Sequence, residues 1–139
     1  MGGIVKHGMN PELGLTILRI VLGVIFIAHG WPKVGSMAGT ADFLGGLGVP
    51  APLVAAWAIT VLELCGGLLL LIGFLVTPVA LLLTAHMLMG IVLVHAANGF
   101  YVIGLGAGGI EFNLILAAAA MMLVFGGPGL AALDSRKQP

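Results

Sequence analysis

Long apolar stretches are the feature that most restricts what this chain can fold into. Of its 139 residues, 60% are hydrophobic and only 7% are charged, and the mean hydropathy is +1.23. A soluble domain carries about 25% charged residues, so this chain has too few charges to cover a surface that faces water. We therefore predict an integral membrane protein for which the lipid bilayer is the solvent.

Turn-forming residues divide the apolar sequence into four predicted membrane spans. These are residues 13–31, 52–76, 78–97 and 111–126. Asn10 followed by Pro11 is a typical helix start, and Pro32 and Gly35 are expected to end the first span. The short connection at Thr77 and Pro78 makes the second and third spans antiparallel neighbours. The predicted fold is a single all-α domain, a four-helix membrane bundle over residues 1–139.

The charges outside the spans predict an orientation. An even number of spans puts both termini on one side, with Lys6, Arg136 and Lys137. The opposite side carries Lys33 and Asp42 in a loop that also favours a short interfacial helix near residues 40–47. By the positive-inside rule, both termini are expected to be cytoplasmic.

Three ionisable residues lie inside the predicted spans, where a charge costs about 2.5–3.5 kcal/mol even on insertion scales. At about 1.5 Å per residue, Arg19, Glu63 and His86 each lie about 15–18 Å from the outer end of their span. Because such groups usually face the bundle interior and pair, we predict a buried polar network. In it, Arg19 forms an ion pair with Glu63 and His86 lies beside them. The pair either fixes helix register or handles protons and polar headgroups.

A second layer of polar residues is predicted near the outer ends of the spans, on the side opposite the termini. Its members are the candidate ligand-binding residues His29, Lys33, His95, Asn98 and Glu111, with Asn113 close by. Helical phase limits which of them can converge, because His86 and His95 would point to opposite sides of a straight helix. Either the helix bends at Gly90, which lies between the two histidines, or one histidine faces a subunit interface. No catalytic residue is assigned.

Several function classes are excluded by composition. The net charge is zero and no basic cluster is present, which argues against a nucleic-acid partner. Cys65 is the only cysteine, so an internal disulfide and a CxxC redox pair are ruled out. No span contains the ExxH spacing of carboxylate-bridged di-iron sites, and no metal site is predicted.

An ordered set of short motifs resembles the DoxX family along nearly the whole chain. Leu18-Arg19 followed by His29-Gly30 is similar to the first helix of that family. Further similarity lies in the later motifs: Gly48-Val49-Pro50, Glu63 with Gly66-Gly67, His95 with Asn98-Gly99-Phe100, Glu111-Phe112-Asn113 and Gly127-Pro128-Gly129. The resemblance implies a small four-helix protein of the bacterial inner (cytoplasmic) membrane, related to a subunit of a membrane quinone oxidoreductase.

Two functions from different classes are compatible with these residues. The first is an oxidoreductase subunit that binds a quinone or a similar lipophilic ligand near the outer membrane face. Since no electron carrier is evident in the chain, a membrane protein partner or bound cofactor would supply electrons. The second is a non-catalytic accessory subunit of a larger membrane complex. Beyond the lipid bilayer, the expected partners are another membrane protein or further copies of this chain.

Overall fold

The structure, a computed structural model, describes residues 10–103 and 108–137, and within them the chain is helical without β-strands. Its α-helices are α1 (Pro11–Gly35), α2 (Met37–Gly46), α3 (Pro52–Ile72), α4 (Val76–Gly90) and α5 (Glu111–Gly126). A π-helical turn (Ile91–His95) and a 3-10 turn (Ala96–Asn98) continue α4, and a second 3-10 turn covers Asp134–Lys137. The predicted all-α membrane bundle is confirmed.

Three helical segments in the described part are long and apolar enough to cross a membrane: Pro11–Gly35, Pro52–Ile72 and Val76–Asn98. The fourth apolar helix, α5, has 16 residues. It is therefore about 24 Å long, which is less than the roughly 30 Å of a bilayer's hydrocarbon core. Lys6 lies outside the described residues, so the cytoplasmic placement of the termini stays a prediction.

The start of α1 follows the sequence signals, and its end lies beyond the predicted span boundary at Trp31. The Asn10 side chain accepts a hydrogen bond from the Glu12 N–H at 3.1 Å, with Pro11 in the first turn. Pro32 and Gly35 were expected to end the helix, and α1 runs through Pro32 and ends at Gly35. Membrane helices tolerate proline where side chains bond the backbone groups nearby. The carbonyl that Pro32 leaves without a helical N–H partner is that of Ala28, and the Lys33 ammonium donates to the next carbonyl, that of His29, at 2.7 Å.

The turn between α3 and α4 comes earlier than the sequence pattern predicts. Helix α3 ends at Ile72 because Gly73 takes a left-handed conformation (φ +71°), and α4 begins at Val76. The chain after α5 folds back over this turn. Asp134 donates its N–H to the Gly73 carbonyl, and its carboxylate accepts the Leu75 and Val76 N–H groups at 3.1 and 2.8 Å. Asp134 therefore caps the start of α4 from a distant part of the sequence.

Two glycines bring the antiparallel helices α1 and α3 into close contact. A Cβ atom on Gly23 would lie 2.7 Å from the Gly67 carbonyl oxygen, and one on Gly67 would lie 2.7 Å from the Gly23 carbonyl oxygen. Small residues allow this approach between membrane helices. The neighbouring core joins α1, α3, α4 and α5 through buried side chains that include Leu22, Phe26, Leu70, Leu83, Leu116 and Leu123.

The glycine contact predicts which substitutions destabilise the bundle. Gly23→Ala or Gly67→Ala would force backbone atoms apart, so we expect the free energy of unfolding to fall by about 1–3 kcal/mol. The control is Gly14→Ala on exposed α1 surface, where a Cβ atom meets nothing within 4 Å. That change is expected to be neutral or stabilising by up to about 1 kcal/mol. Unfolding followed by circular dichroism in detergent micelles measures the difference. Equal stability of all three variants would contradict the close approach of α1 and α3.

Candidate functional site

A buried carboxylate with two nitrogen partners forms the centre of the candidate site. Glu63 on α3 is 3% exposed. Its Oε2 accepts from Lys33 Nζ at 2.5 Å, and its Oε1 lies 3.0 Å from His86 Nε2. Lys33 comes from α1 and His86 from α4, so the cluster joins three helices. Loss of either Lys33 or Glu63 would be strongly destabilising, because it would leave the other charge buried without a partner.

Close helix packing puts Lys33 within reach of Glu63. At Gly30, a Cβ atom would lie 3.0 Å from the Glu63 Cβ and 2.9 Å from Leu64 Cγ, so a larger residue would push α1 away from α3. Lys33 follows three residues later, on the same face of α1. Its flexible stem carries the ammonium back toward the carboxylate while it also bonds the His29 carbonyl.

The predicted ion pair between Arg19 and Glu63 is wrong. Arg19 is 2% exposed, and its Nη1 donates to the carbonyls of Leu70 and Leu71 at 2.6 and 3.0 Å. Its Nη2 donates to the Leu130 carbonyl at 3.3 Å. Since Leu70 is seven residues from Glu63 on α3, the guanidinium lies about 11 Å along the helix from the carboxylate. Arg19 satisfies the carbonyl end of α3, where a helix favours positive charge.

A cavity of about 420 Å³ adjoins the Lys33–Glu63–His86 cluster. Its walls come from α1, α2, α3, the third span and α5, and they are mostly apolar. The polar or ionisable residues lining it are His29, Lys33, Thr40, Glu63, His86, His95 and Asn113, and the apolar ones include Phe43, Leu44, Leu47, Ile59, Met87, Met89, Leu93, Phe112 and Leu116. An apolar pocket with a few convergent polar groups is the usual form of a small-molecule site.

Of the five predicted ligand-binding residues, three line the cavity and two do not. His29 and His95 line the cavity, and the His29 ring packs against Phe112 with centroids 5.9 Å apart. Asn98 and Glu111 do not line it. Asn98 donates to the Gly108 carbonyl at 3.4 Å, and Glu111 accepts the Val102 N–H at 2.7 Å. Both therefore hold the loop that leads into α5. Lys33, the fifth candidate, reaches inward to Glu63.

The π-helical turn explains how His86 and His95 come to line one cavity. In a straight α-helix, residues nine apart lie about half a turn out of phase. The turn Ile91–His95 uses i→i+5 bonding and so holds more residues per turn. One extra residue rotates the following chain by about 100° relative to the preceding helix. His95 is held there by a 2.5 Å contact between its Nδ1 and the Gly108 carbonyl. The bend expected at Gly90 is thus a change of helix type.

Asn113 and the α2 side chains belong to the cavity but were not chosen as site residues from the sequence. Asn113 lies in the first turn of α5 and is 8% exposed. An amide in an apolar span was the signal that could have selected it. Phe43 and Leu47 are in the short helix near the outer loop, and nothing in their sequence distinguishes them from ordinary interfacial apolar residues.

No metal-binding group is seen in residues 10–103 and 108–137: three or more His, Cys, Asp or Glu side chains do not come together there. Cys65 is exposed on α3, and the chain has no other cysteine. The chemistry available at the cavity is hydrogen bonding and proton exchange by imidazole, carboxylate, ammonium and amide groups.

Comparison with known proteins settles the family. The DoxX family model matches residues 14–96, which run from α1 through the π-helical turn. The chain belongs to the DoxX family. The matched region contains Lys33, Glu63, His86 and His95, and it ends before α5.

DoxX relatives align along most of the chain. The inner membrane protein YphA of Escherichia coli (strain K12) is 34% identical over 124 residues, covering 88% of this chain and 89% of YphA. The Bacillus subtilis (strain 168) protein named "Putative oxidoreductase CatD" is 32% identical over 88% of this chain and 86% of its own length. The inner membrane protein YqjF of Escherichia coli (strain K12) is 29% identical over 88% and 91% of the two chains. No solved structure matches. This DoxX protein is a multi-pass protein of the inner membrane.

The corrected pairing in this DoxX protein predicts the outcome of two double-mutant cycles. Lys33→Met and Glu63→Gln should be coupled in unfolding free energy by at least about 1 kcal/mol, because the two side chains share one buried hydrogen bond. Arg19→Met and Glu63→Gln should add within about 0.5 kcal/mol, because these sites share no partner. Reversible unfolding by SDS in mixed micelles measures both cycles. A coupling free energy found only between Arg19 and Glu63 would contradict the structure and support the ion pair predicted from the sequence.

Proposed function

We propose that this DoxX protein is an oxidoreductase subunit that binds a quinone-class lipophilic ligand in the cavity beside Glu63. The observation that carries the proposal is a buried Lys33–Glu63–His86 cluster at one end of an otherwise apolar cavity of about 420 Å³ at membrane depth. A quinone combines an apolar ring and tail with polar ring oxygens, and the cavity matches both parts. The name given to CatD, a relative of 32% identity, is in keeping with redox chemistry.

The apolar walls fit the ring and tail of such a ligand. Phe43, Met89 and Leu93 line the cavity and are themselves 54%, 56% and 39% exposed. They lie on α2 and on the third span, and we infer that they face lipid. A ligand dissolved in the bilayer would therefore meet apolar side chains first and the polar cluster last.

The polar cluster supplies donors and a mobile proton for the ligand's oxygen atoms. Lys33 Nζ carries three protons. One is donated to Glu63 and one to the His29 carbonyl. His86 Nε2 lies at hydrogen-bonding distance from Glu63 Oε1, so the imidazole and the carboxylate are in direct contact. When bound, a quinone supplies the redox chemistry and takes up protons on its ring oxygens as it is reduced. The residues here would orient it, exclude water and provide protons, while a membrane redox partner would supply the two electrons.

Direct binding in lipid nanodiscs tests the proposal. Decylubiquinone is titrated into the purified full-length protein, and the Kd is measured by isothermal titration calorimetry. Glu63→Gln and His86→Leu should each raise the Kd about tenfold or more, since a hydrogen bond to a charged group contributes about 1.5–3 kcal/mol. Asp42→Asn is the control, because this exposed α2 side chain does not line the cavity. Its Kd should equal that of the wild type.

A double variant separates the outer end of the cavity from the polar cluster. His29→Ala combined with His95→Ala removes both outer imidazoles and leaves Lys33, Glu63 and His86 in place. We expect weaker decylubiquinone binding. An unchanged Kd would contradict the assignment of both histidines to the binding site. Failure of the wild type to bind, together with obligate co-purification with a larger complex that keeps its activity when Glu63 is altered, would instead identify an accessory subunit.

A further inference from the structure

We propose that Asn113 is a specificity-determining residue that accepts a hydrogen bond from a ligand hydroxyl, so that the cavity prefers the reduced, quinol form. This inference rests on the proposed function, because it assigns the ligand form taken by the same cavity. It adds a residue outside the part of the chain that the family model matches.

The orientation of the Asn113 amide is set by the third span. Its Nδ2 donates to the Met87 carbonyl at 3.4 Å. A carbonyl oxygen can only accept, so the NH₂ end of the amide must face Met87 and the Oδ1 end must face the other way. Asn113 is 8% exposed and lines the cavity, so its amide is presented inside the bundle.

Gly90 makes room for this amide. A Cβ atom at position 90 would lie 2.7 Å from Asn113 Nδ2, which is too close for any side chain to be tolerated without moving the amide. Gly90 is also the last residue of α4 before the π-helical turn. The glycine and the start of the turn therefore set where the Asn113 amide lies.

Asn113 Oδ1 is an acceptor that no donor in the described part of the chain occupies. It is also absent from the fully buried side-chain atoms that lack a partner, which within that part consist of Arg19 Nε. The oxygen is thus not fully buried, and Asn113 is one of the residues that line the cavity. Each oxygen of the Glu63 carboxylate, in contrast, already has one partner, Oε2 with Lys33 and Oε1 with His86.

A free acceptor distinguishes a hydroxyl from a carbonyl. A quinol hydroxyl can donate to Asn113 Oδ1, whereas a quinone carbonyl would bring two acceptors together without a proton between them. A site that offers an acceptor to a ligand hydroxyl rejects the analogue that lacks it. The ammonium of Lys33 can donate to either form, so we assign the preference for the quinol to Asn113.

The test compares two probes that differ only in the ring hydroxyls, decylubiquinol and decylubiquinone. Their Kd values are measured anaerobically for the full-length protein in nanodiscs. We expect the wild type to bind the quinol about three- to tenfold more tightly, the value of one net hydrogen bond. Asn113→Leu keeps the side-chain size and should bring the ratio of the two Kd values to about one while the quinone still binds. Asn98→Leu is the matched control, because Asn98 does not line the cavity, and its ratio should equal that of the wild type.

Gly90→Ala provides an independent variant in case Asn113→Leu fails to fold. It should lower the ratio by displacing the amide, and it should have no further effect on the ratio when Asn113 is already leucine. Equal binding of the two probes by the wild type, or a ratio unchanged in both variants, would overturn the role of Asn113 and leave quinone binding intact. Failure of the wild type to bind either probe would overturn both proposals.

Discussion

The buried contact of Glu63 with Lys33 and His86 is the interaction on which the rest of this structure depends. A carboxylate at membrane depth is stable only where a partner group compensates its charge. Here the partners are Lys33 on α1 and His86 on α4. The cluster joins α1, α3 and α4 and forms the polar end of the cavity. The same three side chains are therefore a brace for the bundle and its most reactive group of atoms.

The other polar contacts keep that cluster in place from a distance. Gly23, Gly30 and Gly67 let α1 lie against α3, and without this approach Lys33 could not reach Glu63. Arg19 and Asp134 secure the opposite end by tying the chain after α5 to the turn between α3 and α4. The two buried charged side chains thus have different structural roles: Glu63 joins α1, α3 and α4, and Arg19 bonds the carbonyl end of α3 and the chain after α5.

Much of the fold could be predicted from the sequence, because the apolar runs and the helix-start signals are local. The placement of Glu63 and His86 inside the bundle also followed from span positions, whereas helical phase put His86 and His95 on opposite sides of a straight helix. The Arg19 pairing could not be predicted, since depth counting does not show that backbone carbonyls of α3 and the distant Leu130 occupy the guanidinium. The predicted first span stops at Trp31, whereas α1 runs through Pro32 to Gly35. The π-helical turn that brings His95 to the cavity has no distinct sequence pattern beyond Gly90.

The central claim is that the Glu63 carboxyl group faces the ligand's polar end within a lipid-accessible cavity. Infrared difference spectroscopy on the protein in nanodiscs, recorded as decylubiquinone is added, measures this most directly. The account predicts that ligand binding shifts a carboxyl stretching band in the wild type and that the shifted band is missing in Glu63→Gln. A difference spectrum that is the same in Glu63→Gln as in the wild type would contradict it.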